Sequence, residues 1–202
     1  KTTLAKMLAK KMNANLVLES YEDNPFLEKF YKNPRRYALH TQMYFLMSRY
    51  KQLLELRQDD LFHEYMVADY IFEKDKIFAY LNLADDELEL YERMVSFIER
   101  NLKKPDLVIY LQSTVERLMA NINKRGRAAE KNMSETYISD LNEAYNYFFF
   151  RFKASRVMIV NATEMDFVNN ENDFNDLIAE ILKPEHGNIE YFNPSIKKAA
   201  GR

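Results

Sequence analysis

The sequence predicts an α/β fold with a parallel sheet flanked by helices, arranged as a single domain over residues 1–202 with a C-terminal tail from residue 185. Two patterns carry that expectation. Short apolar runs at residues 16–18, 65–68, 106–111 and 157–160 alternate little between polar and apolar, as suits strands buried on both faces. Stretches of helical periodicity separate them, and strands alternating with helices imply a parallel sheet. The 202 residues are 47% hydrophobic and 14% aromatic, enough for one sizeable core and too apolar for disorder.

Taken in order, Leu4, Leu8 and Met12 recur at four-residue steps and predict a helix over residues 1–13, which opens without a capping side chain. Leu16-Val17-Leu18 is the first strand and ends at Glu19. Asn24-Pro25 and Asn33-Pro34 both read as helix starts with an asparagine cap and a proline first. A long helix follows from about Arg35 to about Arg57. The second strand, residues 65–68, carries Asp69 at its carboxyl end. Leu88, Tyr91, Val95, Ile98 and Leu102 mark an amphipathic helix preceded by the acidic first turn Asp85-Asp86-Glu87. After the third strand, ending at Gln112, Ser113-Thr114-Val115-Glu116 fits a capping box for a helix that stops near Arg125-Gly126-Arg127. Ser134 caps a helix through Leu141, Tyr145 and Phe148; the fourth strand follows, then a last helix from Phe174 to Leu182, stopped by Pro184. The tail has no clear periodicity.

Several function classes drop out on composition. With 29 Lys+Arg against 31 Asp+Glu the formal charge is −2, so no global field favours nucleic acid or an anionic membrane. The chain has no cysteine, which removes disulfides, thiolate metal sites and a cysteine nucleophile. His40, His63 and His186 have no ligand spacing. No apolar run reaches the roughly 18 residues of a membrane span and no signal peptide opens the chain, so a cytoplasmic protein is expected. Glycine is scarce: only Gly126, Gly187 and Gly201, against roughly 7% in an average protein.

Parallel sheets bind ligands beyond the carboxyl ends of their strands, where Glu19, Asp69 and Gln112 fall. Lys1-Thr2-Thr3 running into a helix looks like the second half of a phosphate-binding loop, G-x-x-x-x-G-K-[ST]; by itself it is equally an ordinary helix start. Arg125 and Arg127 flank a glycine at a helix end, where two guanidiniums can swing over a triphosphate, or simply be solvated. Gln42, Phe45 and Arg49 share one face of the long helix and suit a flat polar ring with a charged neighbour.

Together with Asp23-Asn24-Pro25-Phe26-Leu27-Glu28-Lys29-Phe30-Tyr31, Ile77-Phe78-Ala79, the run from Pro105 to Leu111, and Arg125-Gly126-Arg127-Ala128-Ala129-Glu130, these residues strongly resemble the deoxynucleoside kinases, from Lys1 to about Leu182. The likeness is strongest to bacterial members that prefer purine deoxynucleosides. It implies a P-loop kinase fold whose first strand and glycine loop are expected ahead of Lys1, and transfer of the γ-phosphate of ATP to a sugar 5′-hydroxyl with Mg²⁺. Glu19 then matches the carboxylate that takes the 5′-hydroxyl proton, and Lys1, Thr2 and Thr3 the ATP-binding loop, with Thr2 on Mg²⁺. Tyr31 and Glu130 match the pair on the 3′-hydroxyl, Gln42 the amide at the base edge with Phe45 beside it, Arg49 an arginine near the acceptor, and Arg125 and Arg127 the lid. A homodimer through the long helices is also implied.

The chain departs from the family in two places. Many relatives carry an acid-Arg-Ser triplet where this chain has Ala68-Asp69-Tyr70, and we read Asp69 as the acid, a partner for Mg²⁺ or Arg49. Asn121 stands where relatives often have another lid arginine. Lys74 is assigned to the far rim of the base pocket, as a donor suited to a guanine carbonyl oxygen; the other reading is a surface lysine at a helix end. Two rivals to the kinase reading are a thymidylate-type monophosphate kinase, whose acceptor phosphate Glu22 and Asp23 would repel, and a nucleotide-binding domain without activity.

Overall fold

The computed structural model describes residues 1–55, 63–127, 130, 133–163 and 165–193. Its elements follow the order α1 (Thr2–Met12), β1 (Asn15–Val17), α2 (Leu27–Lys32), α3 (Pro34–Glu55), β2 (Met66–Ala68), α4 (Lys74–Asn82), α5 (Asp85–Ile98), β3 (Leu107–Gln112), α6 (Val115–Arg125), α7 (Glu135–Arg151), β4 (Arg156–Asn161), α8 (Glu171–Ile181) and β5 (Ile189–Phe192). The expected end of the long helix at Arg57, and Ala128-Ala129, lie outside the described residues. Among the described residues no helix is long and apolar enough to cross a membrane.

All the strand pairs are parallel, as the apolar runs predict. β1 pairs with β2, Val17 opposite Ala68, and β3, β4 and β5 form a second sheet in that order. β4 is buried on both faces. Met158 and Val160 pack with Leu4 and Leu8 of α1 and Phe174, Leu177 and Ile178 of α8. Val157 and Ile159 face Phe149 and Phe152 with Val108 and Tyr110 of β3 and Ile77 of α4, and Tyr110 stacks on Phe149 with ring centroids 4.4 Å apart. A third cluster is wholly helical and loop-borne: Leu46 of α3, Phe72, Ala79 of α4, and Tyr91 and Val95 of α5.

Local chemistry shifts several expected boundaries. Asn24 does not cap a helix at Pro25; its side chain accepts the Phe26 N–H (3.0 Å) in a turn, and α2 begins only at Leu27. The box predicted from Ser113 is not made, because Thr114 is the cap and accepts the Arg117 N–H, which leaves Ser113 Oγ buried without a partner. Ser134 caps α7 as expected. α4 is an additional helix, and Asp75, between Lys74 and Lys76, faces inward. Gly126 closes α6 at φ 65°, the left-handed conformation that favours glycine at a helix end.

The tail, too, holds an element the sequence pattern does not show. β5 adds to the outer edge of β4 and is tied to the end of α8 by His186, whose Nδ1 lies 2.9 Å from Glu190 Oε2 and Nε2 3.0 Å from the Ile181 carbonyl oxygen. Both nitrogens face acceptors, and only the imidazolium has two donors to give. The Glu190 carboxylate accordingly raises the His186 pKa; burial opposes this, the Ile181 carbonyl adds to it, and Arg156 opposes it. Since the folded pKa lies above the unfolded value of about 6.5, the stabilisation is complete below that pH and disappears as pH rises through the folded value. Melting temperatures of wild type and His186→Asn, taken across neutral pH, should converge on the alkaline side; a constant difference contradicts the latch.

Candidate active site

The parallel register of β1 and β2 brings two carboxylates together just beyond the strand ends. Asp69 extends the ladder, its N–H donating to the Val17 carbonyl oxygen at 3.0 Å. Its side chain then joins two segments: Oδ1 accepts the Glu19 N–H at 3.1 Å, and Oδ2 accepts the Thr2 hydroxyl at 2.7 Å. Lys1 Nζ donates to the Asp69 carbonyl oxygen at 2.7 Å. Asp69 therefore faces the Lys1-Thr2 start of α1; the alternative of pairing with Arg49 is not realised. Thr3 is exposed on the first turn of α1 and lines the same cleft, which encloses about 2440 Å³.

Arg49 occupies the centre of the site at 5% exposure. Its Nε reaches Glu19 Oε1 at 2.9 Å and its Nη2 bonds the same oxygen, while Nη1 contacts Asp75 Oδ1. Asp75 is fully buried, and its second oxygen accepts the Tyr91 hydroxyl at 2.8 Å. The guanidinium lies 4.9 Å from the Phe45 ring centroid and 5.9 Å from that of Tyr70. Gln42 donates one N–H to the Asp75 carbonyl oxygen at 2.7 Å, so the amide expected at the base edge is partly engaged by the protein.

Glu19 also binds Lys74, whose Nζ lies 2.8 Å from Oε2. The lysine expected at the far rim of the base pocket stands instead at Glu19. Burial alone would raise the Glu19 pKa, but Lys74, Arg49 and Lys1 outweigh it and hold the carboxyl well below the usual range. Burial in turn draws the Lys74 ammonium down to about 7 against the opposing pull of Glu19, with Lys1 and Arg49 lowering it further.

Across the cleft, Glu130 is bracketed by both expected lid arginines. Arg125 donates from Nε (3.0 Å) and Nη2 (2.6 Å) to Oε2, and Arg127 Nη1 to Oε1 at 3.3 Å. Arg127 stacks on Tyr21, 3.6 Å from its ring centroid. α6, which carries Arg125, has Val115, Leu118, Met119 and Ile122 half-buried on its apolar face. Tyr31 lines the cleft, where burial pushes its hydroxyl pKa well up, with Tyr137 and Glu130 adding to the rise.

Sequence reasoning misses Asp75 and Tyr91. A signal was available: Phe72, Asp75, Ala79 and Leu83 follow helical spacing, which sets a lone acid in an otherwise apolar stripe. Removing one partner of a buried ion pair leaves the other charge uncompensated, at about 3–5 kcal/mol. Asp75→Ala should lose roughly that much in denaturant unfolding, whereas Tyr91→Phe, which deletes one hydrogen bond, should lose about 1 kcal/mol; equal small losses would mean that Arg49 does not depend on Asp75.

The sequence model of the deoxynucleoside kinase family matches residues 1–184. A deoxyguanosine kinase of Bacillus subtilis (strain 168) is 34% identical over 186 residues, covering 90% of this chain and 90% of that protein. A deoxyadenosine/deoxycytidine kinase of the same organism is 30% identical over 200 residues, covering 93% of this chain and 89% of that protein. Among solved structures, deoxyadenosine kinase from M. mycoides with the products dCMP and a flexible dCDP bound superposes with a TM-score of 0.78 at 25% identity, over 89% of this chain and 91% of that one.

Proposed function

The chain belongs to the deoxynucleoside kinase family, and on that premise we propose that it transfers the γ-phosphate of ATP to the 5′-hydroxyl of a purine deoxynucleoside. The observation that carries the reading is Glu19 at the strand ends, bound by Arg49 and Lys74 in the same cleft as Lys1, Thr2, Arg125 and Arg127. The 5′-oxygen attacks the γ-phosphorus as its proton passes to Glu19; the bond to the bridging oxygen breaks and ADP departs with the electron pair. Phosphoryl transfer depends on positioning and charge neutralisation. Lys1 and the two lid arginines supply cations, and Tyr31 and Glu130 are assigned to the 3′-hydroxyl. For Glu130 to bind the sugar, its present pairing with Arg125 and Arg127 must loosen, which would free both arginines for the triphosphate.

Mg²⁺ fits the Thr2 hydroxyl with the Asp69 carboxylate next to it, two hard oxygen donors of the kind this ion takes beside substrate phosphates. When bound, it neutralises charge on the β- and γ-phosphates. The apolar groove on the outer side of α3, lined by Phe26, Leu39, Met43, Tyr44 and Met47, supports a homodimer through the long helices. We also place the protein in the cytoplasm.

ADP release coupled to a dehydrogenase, with the four deoxynucleosides and their monophosphates as acceptors, tests the assignment. Deoxyguanosine or deoxyadenosine should be turned over best; a preference for thymidine or deoxycytidine contradicts the purine reading. Glu19→Gln keeps the shape of the side chain without its basicity, and should lower kcat by ~10²–10⁴-fold with deoxynucleoside binding nearly unchanged. Wild-type turnover in that variant would remove Glu19 as the base.

A further inference from the structure

The two oxygens of Glu19 are not equally occupied. Oε1 accepts two N–H groups from Arg49, whereas Oε2 accepts one, from Lys74 at 2.8 Å. An ionised carboxylate offers about four lone-pair sites. Oε1 is therefore filled, and the site that remains is on Oε2, next to the ammonium.

Lys74 itself is confined. It is the first residue of α4, its side chain is 15% exposed, and Nζ sits 5.6 Å from the Phe78 ring centroid. Arg49 is fixed from the other side by Asp75, so it has no freedom to follow a change of charge on Glu19. An ammonium has three donors on a rotatable stem, and can keep one hydrogen bond to the carboxyl while another turns.

Building on the kinase reading above, we propose that Lys74 is a positioning residue for the transfer: it fixes Glu19 Oε2 as the acceptor of the 5′-hydroxyl proton. The arriving hydroxyl donates to the open site on Oε2. The proton crosses to that oxygen, the electron pair it leaves forms the new P–O bond at the γ-phosphorus, and the bond from that phosphorus to ADP breaks with its pair retained by ADP. Lys74 orients the carboxyl throughout and does not touch the base. This replaces the assignment of Lys74 to a guanine carbonyl, since among the described residues the side chain it donates to is that of Glu19.

Steady-state kinetics of wild type, Lys74→Met and Lys74→Arg, together with binding of a purine deoxynucleoside and of its 5′-deoxy counterpart, test the proposal. Lys74→Met should lower kcat by roughly 10²-fold for deoxyguanosine and deoxyadenosine alike. Its KM for ATP should stay unchanged, and Lys74→Arg should recover most of the loss. The 5′-deoxy compound, which has no proton to give, should bind wild type and Lys74→Met equally. An unchanged kcat overturns the proposal, as does a loss confined to KM that differs between the two purines. Equal weakening of 5′-deoxy binding would mark a general structural role and also overturn it. A wild type that phosphorylates no deoxynucleoside would remove the kinase reading, and this proposal with it.

Discussion

Arg49 brings a guanidinium to 5% exposure, so it must be surrounded by anions. It finds two, from distant parts of the chain: Glu19 just past β1 and Asp75 in the first turn of α4. Tyr91 of α5 completes the arrangement by donating to Asp75. One guanidinium on α3 thereby joins the end of the first sheet to two helices of the third core cluster. Buried ion pairs seldom add stability over well-packed apolar side chains, but once present they are costly to break. The placement of this carboxylate is thus part of the fold.

Lys74 balances the group, which then holds two carboxylates and two cations. Burial works against an ionised Glu19, and the cations around it work for ionisation and prevail. A carboxylate kept so acidic is a weak base, which suits a reaction where the attacking oxygen bonds to phosphorus with little prior loss of its proton. On the opposite wall, Glu130 gathers Arg125 and Arg127 at the end of α6.

Strand identity was most legible where the apolar run is buried on both faces, as at residues 157–160 within Arg156–Asn161; 106–111 overlap Leu107–Gln112, whereas β2 departs from that expectation, with Met66 and Ala68 exposed. What escaped had no local signal or a misleading one. β5 is four residues long and owes its order to β4 and to the His186 latch. α4 opens with Lys-Asp-Lys, which resembles a solvent face, although Asp75 is buried. The site residues Glu19, Arg49, Arg125, Arg127 and Glu130 could be named from motif and family likeness, but their contacts could not. Glu19 lies 30 residues from Arg49 and 55 from Lys74, separations over which spacing says nothing about which charge meets which.

Glu19 remains an anion in the folded protein because Arg49 and Lys74 surround it. Carboxyl ¹³C resonances of glutamate-labelled protein, with the Glu19 signal assigned by its loss in Glu19→Gln, measure this directly as pH is lowered. The account predicts that Glu19 keeps its ionised shift through the range near pH 4.3 where ordinary glutamates take up a proton. A Glu19 signal that titrates there, or at higher pH, would contradict it.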